Sequence, residues 1–134
     1  MIFDTSVVLR ILKDEHFMGS VKGKVDEEVK ISTISAYELL RGAIYMNIAH
    51  HSKKELNIIL DVVSSMNVVE LGREGAKIAS YIWARLKEKG VSLNDADILI
   101  AATCVQNNDK LLTLDKDFKK IKEVHDKFDV EVIE

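Results

Sequence analysis

The sequence has 134 residues, of which 47% are hydrophobic and 31% charged, a balance that is typical of one folded domain and excludes a disordered chain. The single cysteine, Cys104, excludes a disulfide within the chain and a Cys-rich structural zinc site. The net charge of −3 argues against a protein that holds nucleic acid only through basic side chains, although a bound cation would let an acidic enzyme reach phosphates.

No segment of the sequence has the pattern of a secretory signal or of a membrane-spanning helix. Asp4 and Arg10 interrupt the apolar stretch near the start, which also lacks a basic flank. The uncharged run from Ile98 to Val105 is too short to cross a bilayer. We therefore expect a cytoplasmic protein with no membrane partner.

The first half of the chain alternates short apolar runs with patterns of helical spacing. In order, it is predicted to contain a strand over 1–3, a helix over 5–13, a short helix within 14–29, a strand over 29–33 and a helix over 35–50. Ser52 and Glu55 have the spacing of a capping box, which predicts that another helix begins there.

The second half continues the alternation. It is predicted to contain a strand over 67–71, a helix over 73–89, a helix over 94–105, a strand over 110–114, a turn and short helix over 115–124, and a strand over 130–133. Strands separated by helices, without a hairpin signal, indicate a parallel sheet with helices on both faces. The predicted class is α/β, in a single domain over 1–134.

Two features of the helices are predicted to belong to the interior. Residues with helical spacing in 73–89 form one apolar face, which we expect to be either core or a dimer surface. They are Ala76, Ala79, Ile82, Trp83 and Leu86. Cys104 lies in a helix that is apolar nearly all round, so a small buried residue is expected there.

Four carboxylates are predicted at the carboxyl ends of the strands, where open parallel sheets bind their ligands. Asp4 ends the first strand, and Asp115 ends the fourth. Glu38 is predicted in the first turn of the helix after the second strand, and Asp97 in the first turn of the helix before the fourth. All four side chains are expected to point towards the same edge of the sheet.

Each of these acids has a structural explanation when it is considered alone. Asp4 could cap the helix that follows it, Glu38 could complete a capping box with Ser35, Asp97 could do the same with Asn94, and Asp115 could be a turn residue. Capping does not explain why all four fall at one edge. Four converging carboxylates would repel one another, and a divalent cation would relieve that repulsion. Oxygen donors without His or Cys suit Mg²⁺ or Mn²⁺ rather than zinc.

The segments that carry these acids resemble the four motifs of PIN-domain ribonucleases, and most closely those of VapC-type toxins. In order, the segments are IFDTS at 2–6, SAYELLRG at 35–42, NDADILIAA at 94–102 and LTLDKDF at 112–118. The resemblance implies one PIN-like domain with a mostly parallel five-stranded sheet. It also implies an Mg²⁺- or Mn²⁺-dependent endoribonuclease, which by metal-activated water would leave 5′-phosphate and 3′-hydroxyl ends.

The resemblance also assigns roles to individual residues. It places the catalytic and metal-binding acids at Asp4, Glu38, Asp97 and Asp115. Asp97 is preferred to its neighbour Asp95 because it directly precedes the apolar run 98–102. Many VapC-type relatives have Asn where this chain has Asp115. Among the supporting residues, the resemblance makes Thr113 a hydroxyl residue near the metal, Asp117 an accessory acid and Phe118 a packing residue.

Two cationic side chains near the acids are candidates for contact with RNA. Arg41 lies one helical turn after Glu38, where a phosphate contact and a salt bridge to Glu38 are equally expected. Lys116 follows Asp115 and could guide the RNA backbone together with Lys119 and Lys120, whereas a solvated helix face is the alternative.

The partners follow from the resemblance alone. A VapC-type toxin would have an RNA substrate, a cognate antitoxin that binds the acidic cleft, and a second copy in a homodimer. The alternatives are a housekeeping RNA-processing PIN nuclease and a non-catalytic PIN-like scaffold that binds RNA or protein. A phosphatase or receiver domain on a similar sheet is disfavoured, because Thr5 and Ser6 stand where those classes need acids.

Overall fold

The computed structural model describes residues 1–25 and 27–133, in which strands alternate with one or two helices. The strands are β1 (Ile2–Phe3), β2 (Lys30–Ser32), β3 (Asn67–Val69), β4 (Lys110–Thr113) and β5 (Asp129–Val132). The helices are α1 (Thr5–Lys13), α2 (Phe17–Lys22), α3 (Thr33–His50), α4 (Lys53–Ser65), α5 (Arg73–Glu88), α6 (Asp95–Gln106) and α7 (Phe118–Val124).

The five strands form one sheet in the order β3-β2-β1-β4-β5, in which each neighbouring pair is parallel. The predicted α/β class and five-stranded sheet are confirmed. β1 lies at the centre, where Ile2 pairs with Lys30 of β2 and Phe3 pairs with Leu112 of β4. Because the strands are parallel, the residues that follow β1, β2 and β4 meet at one edge of the sheet.

Helices cover both faces of the sheet, because successive side chains of a buried strand point to opposite sides. The core on the side of α5, α6 and α7 includes Ile2, Ile82, Ile100, Leu111 and Phe118. The core on the side of α1, α2, α3 and α4 includes Phe3, Val7, Phe17, Leu39, Ile59 and Leu112. Adjacent residues of β1 and of β4 thus contribute to different cores and fix the sheet between the two helix layers.

Helix α3 begins earlier than the sequence predicts. The residue that caps it is Ser32, whose Oγ accepts a 3.0 Å hydrogen bond from the backbone N–H of Ser35. Because the strand passes directly into the helix, Glu38 lies in the second turn. The predictions that Ser35 opens the helix and that Glu38 lies in its first turn are therefore wrong, as is the capping-box alternative for that pair.

Helix α5 buries a narrower face than predicted. Ala79, Ile82 and Leu86 are buried against the core, whereas Ala76 is exposed and Trp83 is 48% exposed. The core prediction is wrong at these two positions because α5 packs on α6 and α7 along one side only. Trp83 therefore lies on the outer surface of this layer.

Helices α6 and α7 are anchored by side chains with no contact with solvent. Cys104 of α6 is buried as predicted, and this burial raises the pKa of its thiol. Phe118, at the start of α7, is fully buried and packs near the ring of Phe128, with 6.3 Å between the ring centres. Within the described ranges, no helix is both long and apolar enough to cross a membrane.

Candidate active site

Asp4 is held at the end of the central strand by hydrogen bonds to its carboxylate. Its backbone N–H donates to the carbonyl of Leu112, which continues the pairing of β1 with β4. The side chain is 5% exposed, and its Oδ2 accepts hydrogen bonds from Ser6 Oγ at 2.7 Å and from Thr113 Oγ1 at 2.8 Å. Asp4 is the N-cap residue of α1, but its carboxylate makes no capping hydrogen bond, so capping does not explain why an acid stands there.

The hydroxyls that hold Asp4 also fix the segment after β4. Thr113 Oγ1 accepts from the backbone N–H of Asp115 at 3.0 Å, and Ser6 Oγ accepts from that of Leu114 at 3.1 Å. The ends of the two central strands are thereby joined around the carboxylate. The sequence predicts a hydroxyl role at Thr113 but not at Ser6. The only signal for Ser6 is its place two residues after a strand-terminal acid.

Glu38 is oriented by a residue of α1. Its Oε1 accepts a 2.8 Å hydrogen bond from Thr5 Oγ1, a contact that the sequence does not indicate. Its Oε2 lies 3.8 Å from Arg41 Nη2, and the carboxylate is about one-fifth exposed. Arg41 therefore forms the salt bridge that was one of its two predicted roles. The guanidinium also lies over the ring of Tyr37, 5.1 Å from its centre.

Asp97 combines a capping role with a position among the other acids. Its backbone N–H donates to Asn94 Oδ1 at 2.9 Å, and its Oδ2 accepts from Asn94 Nδ2 at 3.0 Å. The pKa of Asp97 is nevertheless raised from 3.8 to about 6, first by burial and then by the negative charges of Asp4 and Asp115, with a smaller contribution from Glu38. The other three predicted carboxylates therefore all lie near enough to raise the pKa of Asp97.

Asp95 points away from this group. It is exposed and takes no part in the cap made by Asn94, and it lines a cavity with Trp83 of α5. Residues two apart in a helix do not share a face, so Asp95 and Asp97 cannot both join the acids. The structure thus places Asp97 in the cluster, as the sequence prefers, and Asp95 outside it.

Asp115 lies at the start of a turn that leads into α7. Its Oδ1 accepts a 2.9 Å hydrogen bond from the backbone N–H of Asp117, so the turn explanation of Asp115 is correct but incomplete. Asp117 is half exposed and forms an ion pair with Lys120 at 3.2 Å. Lys116 is exposed to solvent beside the acids.

The acid cluster, defined as Asp4, Glu38, Asp97 and Asp115, concentrates negative charge at this edge of the sheet. The salt bridge of Glu38 with Arg41 is long, at 3.8 Å, and offsets little of that charge. Within residues 1–25 and 27–133, no group of three or more His, Cys, Asp or Glu is placed to hold a metal ion. The donors are carboxylate and hydroxyl oxygens, which suit a hard divalent cation that keeps part of its water.

Comparison with known proteins connects this geometry to a family. The model of the PIN domain matches residues 1–124. Ribonuclease VapC1 of Methanocaldococcus jannaschii is 30% identical over 125 residues, which cover 92% of this chain and 82% of that protein. Ribonuclease VapC of Rickettsia bellii is 29% identical over 128 residues, with 92% of each chain covered.

Solved structures show the same fold at lower identity. The structure of VapBC2 from Rickettsia felis bound to a DNA fragment from its promoter contains a chain with a TM-score of 0.76, 21% identity and full coverage of both chains. A chain of VapBC-1 from Haemophilus influenzae has a TM-score of 0.77, 19% identity and 98% coverage of both chains. These likenesses confirm the fold.

Proposed function

Because the chain belongs to the PIN-domain family, we propose that it is a metal-dependent endoribonuclease that hydrolyses phosphodiester bonds of RNA, and that it is the toxin of a type II toxin–antitoxin pair. The relatives named ribonuclease VapC support this activity, and the structural neighbours in VapBC complexes support the toxin role. The observation that carries the proposal is that the acid-bearing segments come together at one edge of the sheet, where hydrogen bonds join Asp4 to Thr113, Thr113 to Asp115, and Thr5 to Glu38.

The acid cluster would hold Mg²⁺ or Mn²⁺, partly through water molecules. An oxygen-only donor set fits these ions, and a bound cation would relieve the repulsion that raises the pKa of Asp97. When bound, the ion supplies positive charge for the phosphate oxygens and makes water a stronger nucleophile at neutral pH.

The side chains around the cluster position the acids. Ser6 and Thr113 donate to one oxygen of Asp4, so its carboxylate is held in one orientation. Thr5 does the same for Glu38, and Asn94 for Asp97. Such hydrogen bonds to charged acceptors are stronger than neutral ones and keep the ligands preorganised before RNA arrives.

Two cations beside the cluster would contact the RNA backbone. Arg41 is more than half exposed although it lies near Glu38, so part of its guanidinium remains open to a phosphate. Lys116 is exposed next to Asp115. These contacts would lower the electrostatic cost of bringing a polyanion to an acidic site.

Cleavage of end-labelled structured RNA by the purified protein tests the nuclease. We expect cleavage in Mg²⁺ or Mn²⁺ that is lost in EDTA and in Asp4→Asn, with 5′-phosphate and 3′-hydroxyl products. Cleavage that survives both controls, or products with cyclic phosphates, would contradict the proposed chemistry. No cleavage together with no Mn²⁺ binding by calorimetry would favour a non-catalytic scaffold.

The toxin role needs a separate test, because a housekeeping nuclease would pass the first one. We expect induced expression of the wild-type chain to arrest growth and Asp4→Asn to be harmless. A small protein encoded beside the gene should restore growth and bind the acidic cleft through a basic side chain. Size-exclusion chromatography with light scattering would test the proposed homodimer in the same preparations. Growth that is unaffected by an active nuclease would identify a processing enzyme.

A further inference from the structure

Trp83 is the only tryptophan of the chain and is not used by the acid cluster or by the core. It projects from the outer side of α5, where 48% of its surface is open to solvent. The ammonium group of Lys87 lies 5.3 Å from the centre of its ring, which is the distance of a cation–π contact. A large aromatic surface is therefore held at the surface beside a positive charge.

Two adjoining cavities meet at Trp83. One cavity, of about 390 Å³, lies between α5 and the start of α6 and is lined by Ser80 and Asp95 in addition to apolar side chains. The other, of about 260 Å³, is lined by Lys87, Ser92 and the loop before α6. Both cavities are lined by Trp83 and Ile98, and we call the two together the Trp83 groove.

The Trp83 groove and the acid cluster share the first turn of α6. Asp97 belongs to the cluster, whereas Asp95, two residues earlier, lines the groove. The two sites are therefore separated by about one helix diameter, ~10 Å. Asp95 thus places the Trp83 groove at the same end of α6 as the acid cluster.

We propose that the Trp83 groove binds an unpaired base of the RNA substrate near the scissile bond, with guanine preferred. The base takes the place of the Lys87 ammonium over the ring of Trp83, the carboxylate of Asp95 accepts hydrogen bonds from the guanine N1–H and N2–H groups, and the displaced Lys87 faces the neighbouring phosphate. The inference rests on the proposed ribonuclease function and adds a specificity-determining site to it.

The composition of the groove favours a base over a second copy of the chain. A stable protein interface covers roughly 800 Å² on each partner and has an apolar centre. The Trp83 groove contains two charged side chains, Asp95 and Lys87, and the hydroxyls of Ser80 and Ser92 besides its apolar lining. An aromatic ring with polar groups at its edges matches a flat ligand with hydrogen-bonding edges.

Fluorescence of the sole tryptophan reports directly on this groove. The Asp4→Asn variant is used so that the RNA is not cleaved, and it is titrated with short single-stranded oligoribonucleotides of each base. The emission of Trp83 is recorded during the titration, and binding is measured in parallel from the anisotropy of labelled RNA. We expect saturable quenching, strongest for the guanine-containing oligonucleotide. Binding without a change in emission would overturn the inference. Emission that shifts with protein concentration in the absence of RNA would assign the surface to a second copy instead.

Kinetics of the active enzyme provide the second test. We expect Trp83→Ala to lower kcat/KM by about 5- to 150-fold, the factor that corresponds to ~1–3 kcal/mol per stacked base, mainly through KM, and Trp83→Phe to retain most of it. Tyr81→Ala is the matched control, because Tyr81 is an exposed aromatic residue of α5 beside a different cavity. Asp95→Asn should reduce the preference for guanine at the cleavage site.

The outcomes separate this inference from the proposed function. Metal-dependent cleavage by Trp83→Ala at the wild-type kcat/KM, with unchanged cleavage sites, would overturn the base-binding groove and leave the ribonuclease intact. If the wild-type protein does not cleave RNA, the proposed function fails, and the fluorescence titration still decides whether RNA stacks on Trp83. Unchanged base preference in Asp95→Asn would remove the role of that carboxylate.

Discussion

The hydroxyl of Thr113 donates a 2.8 Å hydrogen bond to Oδ2 of Asp4, across 109 positions of the sequence. The two residues meet because β1 and β4 are adjacent parallel strands, with Phe3 paired with Leu112 just before them. Ser6 donates to the same oxygen. The orientation of the buried carboxylate is therefore set by the register of the central strands and not by a mobile loop.

Removal of this hydroxyl tests its positioning role. Thr113→Val keeps the shape of the side chain but removes the donor to Asp4. A hydrogen bond to a charged group contributes about 1.5–3 kcal/mol, so we expect kcat/KM for RNA cleavage to fall about 10- to 150-fold. Thr113→Ser, which keeps the hydroxyl, should retain most of the activity.

Thr33→Val is the matched control for this change. The hydroxyl of Thr33 donates to the carbonyl of Val69 at an exposed position, and this bond involves none of the four acids. We expect its removal to leave cleavage unchanged. Equal losses of activity in the two valine variants, or failure of Thr113→Ser to restore cleavage, would contradict a positioning role for Thr113.

The raised pKa of Asp97 predicts a trade-off between stability and activity. The folded-state pKa of about 6 lies above the usual value of 3.8, so the folded protein binds more protons than the unfolded chain between these values. Stability without metal therefore falls as pH rises from about 4 to 6 and then stays level. Asp97→Asn has no carboxyl group to ionise, so it should not lose stability in this way and should have a higher Tm than the wild type above pH 6. We also expect it to be inactive in RNA cleavage.

Thermal unfolding in EDTA from pH 4 to 8 checks this prediction. Asp95→Asn is the control, because it removes one charge from the same turn of α6 on the side away from the cluster. Its Tm should follow that of the wild type. Saturating Mn²⁺ should raise the Tm of the wild type more than that of Asp97→Asn, since a ligand of the folded state stabilises it. A wild-type Tm that is independent of pH over this range would contradict the crowding of the four acids.

Much of the fold could be predicted because the signals are local. Alternating strands and helices, the left-handed glycine Gly90 after α5 and the Asn94 cap are each read within a few residues. The acids of the cluster follow from one topological rule for parallel sheets. The start of α3 was missed because two serines three residues apart, Ser32 and Ser35, both have the character of a cap.

The contacts that hold the acids could not be predicted in the same way. Thr5 reaches Glu38 across 33 positions, and Ser6 accepts from Leu114 across 108. Such partners depend on which strands are neighbours and on their register, which local spacing does not encode. The exposure of Trp83 has a similar cause, because the width of the face that α5 buries depends on how α6 and α7 pack on it.

A buried ion pair far from the acid cluster predicts stability towards acid. Burial alone would raise the pKa of Asp109, but hydrogen bonds from Lys30 at 2.7 Å and from the amino group of Met1 outweigh it, and the pKa lies below 3.8. The folded state thus gains stability from this carboxylate above about pH 4 and loses it as pH falls below the lowered pKa. Asp109→Asn should therefore lower the free energy of unfolding at pH 7 and have a smaller effect at pH 3.

Urea unfolding at the two pH values measures this difference. Asp61→Asn, at an exposed position of α4, is the control and should change neither value. RNA cleavage by Asp109→Asn should equal that of the wild type, because Asp109 precedes β4 and so lies at the opposite edge of the sheet from the acids. An effect of Asp109→Asn that is the same at pH 3 and pH 7 would show that the pair does not lower the pKa of Asp109.

Two helical glycines with opposite surroundings give a paired test of packing. A Cβ at Gly75 would overlap Leu71 Cδ1 and lie 2.5 Å from Gln106 Oε1, an atom that accepts hydrogen bonds from the N–H groups of Gly72 and Gly75. Gln106 cannot move without losing these bonds, so we expect Gly75→Ala to lower the free energy of unfolding by about 1–3 kcal/mol.

A Cβ at Gly42, in α3, would meet no atom from outside its own helical turn within 4 Å. Gly42→Ala should therefore raise the free energy of unfolding by about 0.5–1 kcal/mol. Denaturant unfolding of both variants measures the contrast, and a neutral or stabilising Gly75→Ala would contradict the role of Gln106 in joining α6 to the start of α5.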